Sequence, residues 1–352
     1  MPEKKIKFAV VGCGHIGGRH AAMIANNKEA ELAALCDVRP KEILNIDQYN
    51  VPFFSSLEEM LSSDIEVDIV NICTPNGLHS EQSIKVLEAG KHVVCEKPMG
   101  ITTKGCEKMI ETADRNGLYV FVVMQNRYSP PAQWMKEIVE SGHLGKIYMV
   151  HMNCFWNRDN NYYLRGGTKK VGSDITLWRG TLDMDGGTLF TQFSHFIDVM
   201  FWLFGDIENV SARFDDFNHK GITEFEDSGT VSFDFIRGGM GTMCYSTAVW
   251  SANLESSITV VAENGSFKIG GQYMNVVEYC NIKDYTMPEL PEAQPPNDYG
   301  SYKGSAANHH YIIQNAIDTL KRKTSATTSA REGLKVVGII EKIYAQKECE
   351  YV

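Results

Sequence analysis

No apolar run in this 352-residue chain approaches the roughly 18 residues that suggest a membrane span. The strongest, residues 196–204, is short and carries Asp198. Positive charge is also scarce. The 34 Lys and Arg stand against 44 Asp and Glu, a formal net charge of −10, which argues against non-specific binding to nucleic acid or to an anionic membrane. The nine cysteines include no CxxC pair, and an odd, dispersed set reads as reduced, buried thiols of a cytoplasmic protein. Histidine, cysteine and carboxylate residues show no metal-ligand spacing; His309 and His310 are adjacent and would not share a helix face. No metal is therefore expected. Lys4, Lys5 and Lys7 imitate the start of a signal peptide, but the apolar run behind them ends at Gly12 without a small-residue cleavage site, so a mature N-terminus is expected. There is no internal repeat and no low-complexity tract.

The first third alternates strand and helix. Apolar strands are predicted at 6–11, 31–37, 67–73, 91–95 and 118–124, with helices running to about 26 and at 80–89 and 102–115. Near-continuous apolar strands alternating with helices mean a parallel sheet covered on both faces. After Gln125 the pattern changes. A helix at 132–140 precedes strands at 146–156, 209–214, 229–235, 240–247, 257–262 and 266–269, with Asn264-Gly265 as a two-residue hairpin signal. Consecutive strands predict a mainly antiparallel sheet. Residues 288–300 read as a proline-rich loop, and helices at 305–323 and 330–345 close the chain. The expected boundary divides 1–125 from 126–352.

Gly12-Cys13-Gly14-His15-Ile16-Gly17 is GxGxxG between a buried strand and a helix, and Asp37 follows Gly17 by twenty residues at the end of the next strand. In a dinucleotide site Gly12 permits the tight turn, Gly14 lets the backbone approach the pyrophosphate, and Gly17 allows close helix–strand packing. Asp37 accepts from the adenosine ribose hydroxyls and repels a 2′-phosphate, which favours NAD over NADP. Arg39 is the residue that would instead accommodate that phosphate.

Ligands of open α/β sheets lie beyond the carboxyl ends of the strands. Two polar clusters fall there: Thr74 to His79, and Glu96-Lys97-Pro98. A lysine leaving a buried strand is placed to hydrogen-bond a substrate hydroxyl and to stabilise charge during hydride transfer. In the second half, His195 precedes an apolar helical run. Imidazole titrates near neutrality and suits removal of a hydroxyl proton, although a hydrogen-bonded core histidine fits the same pattern. Tyr162-Tyr163 and Trp178-Arg179-Gly180 offer stacking and bidentate anion recognition, or an ordinary aromatic loop.

The run from GxGxxG through Thr74-Pro75 and His79, Glu96-Lys97-Pro98, Gly186-Gly187, His195 and Asp198 resembles the Gfo/Idh/MocA oxidoreductase family over almost the whole chain. Residues 5–14 and 145–150, Gln125-Asn126-Arg127, Phe155-Trp156, Tyr162-Tyr163, residues 178–181 and 331–335 look like its WlbA/WbpB-type UDP-N-acetylglucosaminuronate 3-dehydrogenases. The resemblance implies an N-terminal Rossmann doubly wound parallel sheet and a C-terminal α+β domain with a large, mostly antiparallel open sheet. The final helix is expected to pack back on the first domain. It further implies a homo-oligomeric cytoplasmic enzyme, dimer or tetramer. Such an enzyme oxidises a sugar-nucleotide 3-hydroxyl with NAD for surface-polysaccharide sugars, and 2-oxoglutarate reoxidises the NADH. Another sugar or inositol dehydrogenase, or an NAD-dependent glycosidase of the same family, is the alternative.

Carried over residue by residue, Lys97 and His195 become the catalytic pair. Gly12, Gly14, His15, Ile16, Gly17, Asp37, Thr74, His79, Glu96, Lys97 and Asn126 line NAD, with Trp178 and Arg179 near its nicotinamide end. Lys97, Arg127, Tyr163, Arg179, Gln192 and His195 face the substrate. Three departures stand out. Thr191 replaces the Asp or Asn expected four residues before the histidine, and cannot carry the charge that raises imidazole basicity. The basic, glycine-rich segment 164–177 is longer than usual, either covering the diphosphate or uronate or forming an insertion. Phe193 replaces a small residue beside Gln192.

Overall fold

A computed structural model describes residues 4–164, 178–300 and 302–347. The chain forms two compact units, 1–124 with 309–337, and 125–308 with 338–352.

The first unit carries β1 (Ile6–Val11), α1 (His15–Asn26), β2 (Ala30–Cys36), β3 (Phe53–Phe54), α2 (Leu57–Ser62), β4 (Ile69–Ile72), α3 (His79–Glu88), β5 (His92–Cys95), α4 (Thr103–Asn116) and β6 (Val120–Val122). The strands pair in the order β3-β2-β1-β4-β5-β6, all parallel. This is the doubly wound order whose crevice opens at the carboxyl ends of β1 and β4. Phe8, Val10, Ile69, Val70, Val93 and Val94 are fully buried, as strands covered on both faces require. The short β3 and α2 carry too little periodicity to be read from the sequence.

Two fingerprint glycines are required by packing. Gly12 has φ +87°, and a Cβ there would lie 2.7 Å from the Cys73 carbonyl carbon and oxygen. A Cβ on Gly17 would fall 1.8 Å from the Gly12 carbonyl oxygen. At Gly14 the nearest obstacle is the Arg39 side chain at 3.6 Å, so packing leaves room there for a ligand.

The second unit carries α5 (Pro130–Glu140), β7 (Ile147–Phe155), α6 (Asn160–Leu164), α7 (Ser194–Phe204), β8 (Ile207–Asp215), β9 (Ser228–Phe235), β10 (Met240–Ser246), β11 (Glu255–Ala262), β12 (Gly265–Gly270), β13 (Val276–Ile282), β14 (Pro296–Asp298) and β15 (Lys303–Ala306). Seven strands form one sheet in the order β13-β12-β11-β7-β10-β9-β8. Every pair is antiparallel except β7 with β10, so the sheet is mixed. Its inner face packs aromatic side chains: Trp156 meets Phe193 and Phe196, and Trp134 meets Phe267 edge to face. Its outer face exposes Met149, Met240, Val261 and Tyr279.

The hairpin signal is displaced by one residue. Ala262 pairs with Gly265, so Glu263-Asn264 is the turn and Gly265 opens β12. The glycine is needed by close approach, since a Cβ would lie 2.6 Å from the Ile282 Cα on β13. The β13 strand itself went unread because its alternation is mostly exposed.

Helices α8 (His309–Arg322) and α9 (Ala330–Tyr344) close the chain. In the first unit, Gln314 of α8 accepts from Asn27 at 3.0 Å, and Arg322 pairs with Glu29 at 2.7 Å. No helix of the described residues is long and apolar enough to cross a membrane.

Gly17→Ala is expected to destabilise the protein by about 1–3 kcal/mol or more in urea unfolding, whereas Gly14→Ala should stay within about 0.5 kcal/mol of the parent. Equal losses at both positions would mean that packing constrains Gly14 as well.

Candidate functional site

In the first unit, α1 begins at Gly14 with no side-chain cap and no acidic residue in its first turn. Its amides and dipole are therefore open to an anion. Beside it, the Asp37 carboxylate accepts the Cys13 amide at 2.7 Å and both the Nε and Nη2 of Arg39, at 3.0 and 2.8 Å. Burial pushes Asp37 up, but the Arg39 guanidinium and two backbone amides outweigh it and hold the carboxyl below its usual range. The cradle fits a dinucleotide: space above Gly14, an uncapped helix end, and an ionised Asp37 at the end of β2. Arg39 is engaged with Asp37 and reinforces its charge. Cys13, inside the fingerprint, is an inert thiol that burial pushes to about 12.

Glu96 leaves β5 as a buried carboxylate. His20 of α1 bonds it through Nε2 at 3.0 Å, the Lys97 amide donates to it at 3.1 Å, and His309 of α8 stands 3.8 Å away. Asn71, fully buried in β4, donates to the other nitrogen of His20 at 2.8 Å. Burial raises Glu96, but the His20 bond and the surrounding charges prevail and leave it at about 2. Lys97 thus emerges from a turn held by a chain of buried polar groups. His79, expected to line NAD, is instead buried with its nitrogens 2.7 and 2.8 Å from the Pro98 and Thr74 carbonyls. It ties together the two loops that carry the polar clusters. The Thr74 hydroxyl donates to Gln82 at 2.6 Å, His15 is exposed and Ile16 half-buried.

In the second unit a single helical turn, Gln125–Tyr128, grips α7 at two points. The Gln125 Nε2 meets the Nε2 of His195 at 3.2 Å. Two residues on, Arg127 donates from Nε and Nη2 to both carboxylate oxygens of Asp198, at 2.8 and 2.6 Å. Both side chains of that pair are 1% exposed. Arg127, expected on the sugar-nucleotide side, is therefore a buried brace for the helix that presents His195. Gln125 was missed as a site residue, and its only sequence signal was its place in the Gln125-Asn126-Arg127 run. Asn126 accepts from Ser305, while its Nδ2 is buried without a partner among the described residues. Before α7 the chain makes a π-helical turn, Leu189–Phe193, containing Thr191 and Gln192.

Tyr163, expected to face substrate, is 1% exposed and packs in a core cluster with Phe225. Its neighbour Tyr162 takes the polar position: its hydroxyl accepts from Gln192 at 2.7 Å and its ring lies 4.3 Å from the Arg179 guanidinium. Trp178 and Arg179 are half-buried at the edge of this cluster. Of the long segment 164–177, residues 165–177 lie outside the described residues. Asp216, His219 and Asp227 bring possible ligand atoms within 4.8 Å of one another. Both nitrogens of His219 are already taken, by Asp227 at 3.2 Å and by the Arg158 carbonyl at 2.6 Å, so the group reads as a loop clamp.

Comparison with known proteins shows the family and the fold. Residues 6–124 match the oxidoreductase family with NAD-binding Rossmann fold, and residues 132–268 match the GFO/IDH/MocA C-terminal domain. The WlbA dehydrogenase from Bordetella pertussis, solved with NADH and UDP-GlcNAcA, is 32% identical with a TM-score of 0.83, covering 99% of this chain and 98% of that one. Its counterpart from Chromobacterium violaceum, solved with the same two ligands, is 32% identical with a TM-score of 0.86, covering 99% and 96%. D-glucoside 3-dehydrogenase of Escherichia coli is 29% identical over 177 residues, 47% of this chain and 50% of that protein. The chain spans about half the length of the curated relatives it matches.

Two outcomes follow from the buried charges. Asp198→Leu alone should cost about 3–5 kcal/mol in urea unfolding, because it strands a buried guanidinium, and adding Arg127→Met should recover most of that loss. A double variant no better than the single would mean the pair is not self-contained. Burial pushes His309 down to about 3 from 6.5, so the unfolded chain binds a proton there that the folded chain does not. Stability should then fall as pH drops below 6.5, by up to about 1.4 kcal/mol per pH unit. His309→Leu should flatten that slope in thermal melts from pH 7 to 5; an unchanged slope would place its source elsewhere.

Proposed function

Because the chain belongs to the Gfo/Idh/MocA oxidoreductase family and its first unit is that family's NAD-binding Rossmann domain, we propose that it oxidises the 3-hydroxyl of a UDP-N-acetyl-hexosaminuronic acid, UDP-GlcNAcA first, in the making of surface-polysaccharide sugars. The observation that carries this reading is the likeness, over 99% of the chain, to two dehydrogenases solved with NADH and UDP-GlcNAcA.

Gly12, Gly14, Gly17, Asp37 and the Glu96 turn would hold NAD, which would supply the hydride acceptor. His195 takes the proton of the 3-hydroxyl, and Lys97 supports the developing alkoxide. Thr191 offers His195 no charge, and Gln125 supplies a neutral partner instead. With the amide turned over, its Oε1, buried without a partner among the described residues, accepts the Nε2–H of His195 both before and after Nδ1 takes the proton. Reoxidation by 2-oxoglutarate, a cytoplasmic setting and a homo-oligomer complete the proposal. Met149, Met240 and Val261, neighbours on the outer sheet face, are 47%, 53% and 42% exposed and favour the last.

A sugar 3-dehydrogenase acting without the nucleotide is the second reading, favoured by the likeness to D-glucoside 3-dehydrogenase. A single-turnover experiment separates them. Protein with NAD is mixed with UDP-GlcNAcA, UDP-N-acetylglucosamine, myo-inositol or a methyl glucoside, and near-ultraviolet absorbance reports NADH. A rise with the uronate, absent in Lys97→Ala that still binds NAD, is expected. Silence with the uronate and a rise with the glucoside would replace the first reading by the second.

A further inference from the structure

The second unit holds two guanidiniums that lack what Arg127 has. Arg158, just past β7, is 2% exposed. Its Nε donates to Gln192 at 2.6 Å, its Nη1 to the Asn157 carbonyl at 2.6 Å and Asn253 at 3.2 Å, and its Nη2 to the Lys303 carbonyl at 3.4 Å. Arg179 reaches only the Tyr162 carbonyl and the Tyr302 hydroxyl, both at 3.3 Å, and its Nε is buried without a partner among the described residues. Every one of these partners is neutral. No carboxylate among the described residues forms an ion pair with either arginine. The nearby Asp185 acts on Arg179 only at longer range, and its Oδ2 accepts the Gly180 amide.

Both guanidiniums stack on the same rings. Arg158 lies 5.1 Å from Tyr162 and 5.0 Å from Tyr302; Arg179 lies 4.3 and 5.8 Å from them. Cation–π contacts soften an unpaired charge without neutralising it. Burial and Asp185 push the Tyr162 phenol up, yet Arg179, Arg158 and the Gln192 bond bring it below its ordinary value. Buried charges are normally paired. Two like charges about one aromatic ring, with a donor unused and no carboxylate paired to them among the described residues, form a site suited to an anionic ligand.

We propose that this cluster is the subsite for the anionic part of the substrate, its carboxylate or its diphosphate, with Arg179 making the contact. Arg158 supplies charge and holds Gln192 and Tyr162 in place. The proposal deepens the sugar-nucleotide reading and rests on it for the identity of the anion.

The test uses NAD-loaded protein and calorimetric Kd values for UDP-GlcNAcA, UDP-N-acetylglucosamine, UDP, the methyl glycoside of N-acetylglucosaminuronic acid, glucuronate and pyrophosphate. Arg179→Gln is expected to weaken the anionic ligands about tenfold or more, and Arg179→Lys to restore part of that, because it returns the charge without the fork. Weakening of UDP and both sugar nucleotides identifies the diphosphate; weakening confined to the uronates identifies the carboxylate. Unchanged affinities in Arg179→Gln would overturn the subsite, as would a parent protein that binds none of the six. If the sugar nucleotides fail to bind but glucuronate or pyrophosphate binds through Arg179, the subsite stands and the sugar-nucleotide reading falls. Should Arg179→Gln lose NAD binding through misfolding, Arg179→Lys carries the comparison, and parental affinity for every anion in it overturns the proposal.

Discussion

The bidentate pair between Arg127 and Asp198 sets how the second unit presents His195. Both side chains are almost wholly removed from water. Burying either alone would cost several kcal/mol, so each is tolerable only in the geometry that satisfies the other. That geometry locks the Gln125–Tyr128 turn against the first turns of α7. His195 lies three residues before Asp198 on the same helix, and Gln125 two residues before Arg127 in the same turn. One ion pair therefore fixes the distance between the imidazole and its amide partner. In the proposed reaction the arrangement gives the imidazole a neutral partner in Gln125 where threonine stands at 191.

The first unit uses the same physics differently. Glu96 is a buried carboxylate whose compensation comes from an imidazole and a backbone amide, with Asn71 behind His20 as the next support. Here the charge fixes a strand-end turn, and Lys97 is the residue so aimed. In both units the residue assigned to chemistry is adjacent to a compensated buried charge and is not itself part of it. Arg158 and Arg179 break this pattern. Arg158 is buried as deeply as the compensated groups and Arg179 is half-buried, yet their hydrogen-bond partners are carbonyls, amides and a phenol. The Arg127 pair shows that this fold can supply a carboxylate when it needs one, so its absence among the described residues around Tyr162 is a property of the site.

How much of this was legible in the sequence depends on separation along the chain. The parallel sheet and the fingerprint were readable because their signals are local: strand, three glycines, helix, and an acid at the next strand end. The second sheet was readable from its alternating strands, except for β13, whose side chains are mostly exposed and leave no apolar rhythm. Long-range pairings were not readable. Gln125 and His195 are 70 residues apart, Arg127 and Asp198 are 71, and no spacing rule connects them. Arg127 consequently read as a free cation for a ligand. Tyr162 and Tyr163 are adjacent and chemically identical, so only the fold could say which ring enters the core and which meets the guanidiniums. Arg158 carried no local motif at all.

On the proposed reading, substrate choice follows from where the uncompensated charge sits. Hydride acceptance and proton removal ask only for a secondary alcohol, and the groups assigned to them do not recognise the rest of the molecule. A pocket that leaves buried guanidiniums without counter-ions discriminates strongly, because a neutral ligand filling it would bury those charges further and return nothing, whereas an anion relieves them. Shape selection in an apolar pocket yields about 1–3 kcal/mol per misplaced group; refusal to leave a buried charge unpaired yields more. Chemistry shared across a family and selectivity particular to one member can therefore reside in different residues. On the function proposed for this chain the first falls to Lys97 and His195, and the second to the guanidiniums around Tyr162.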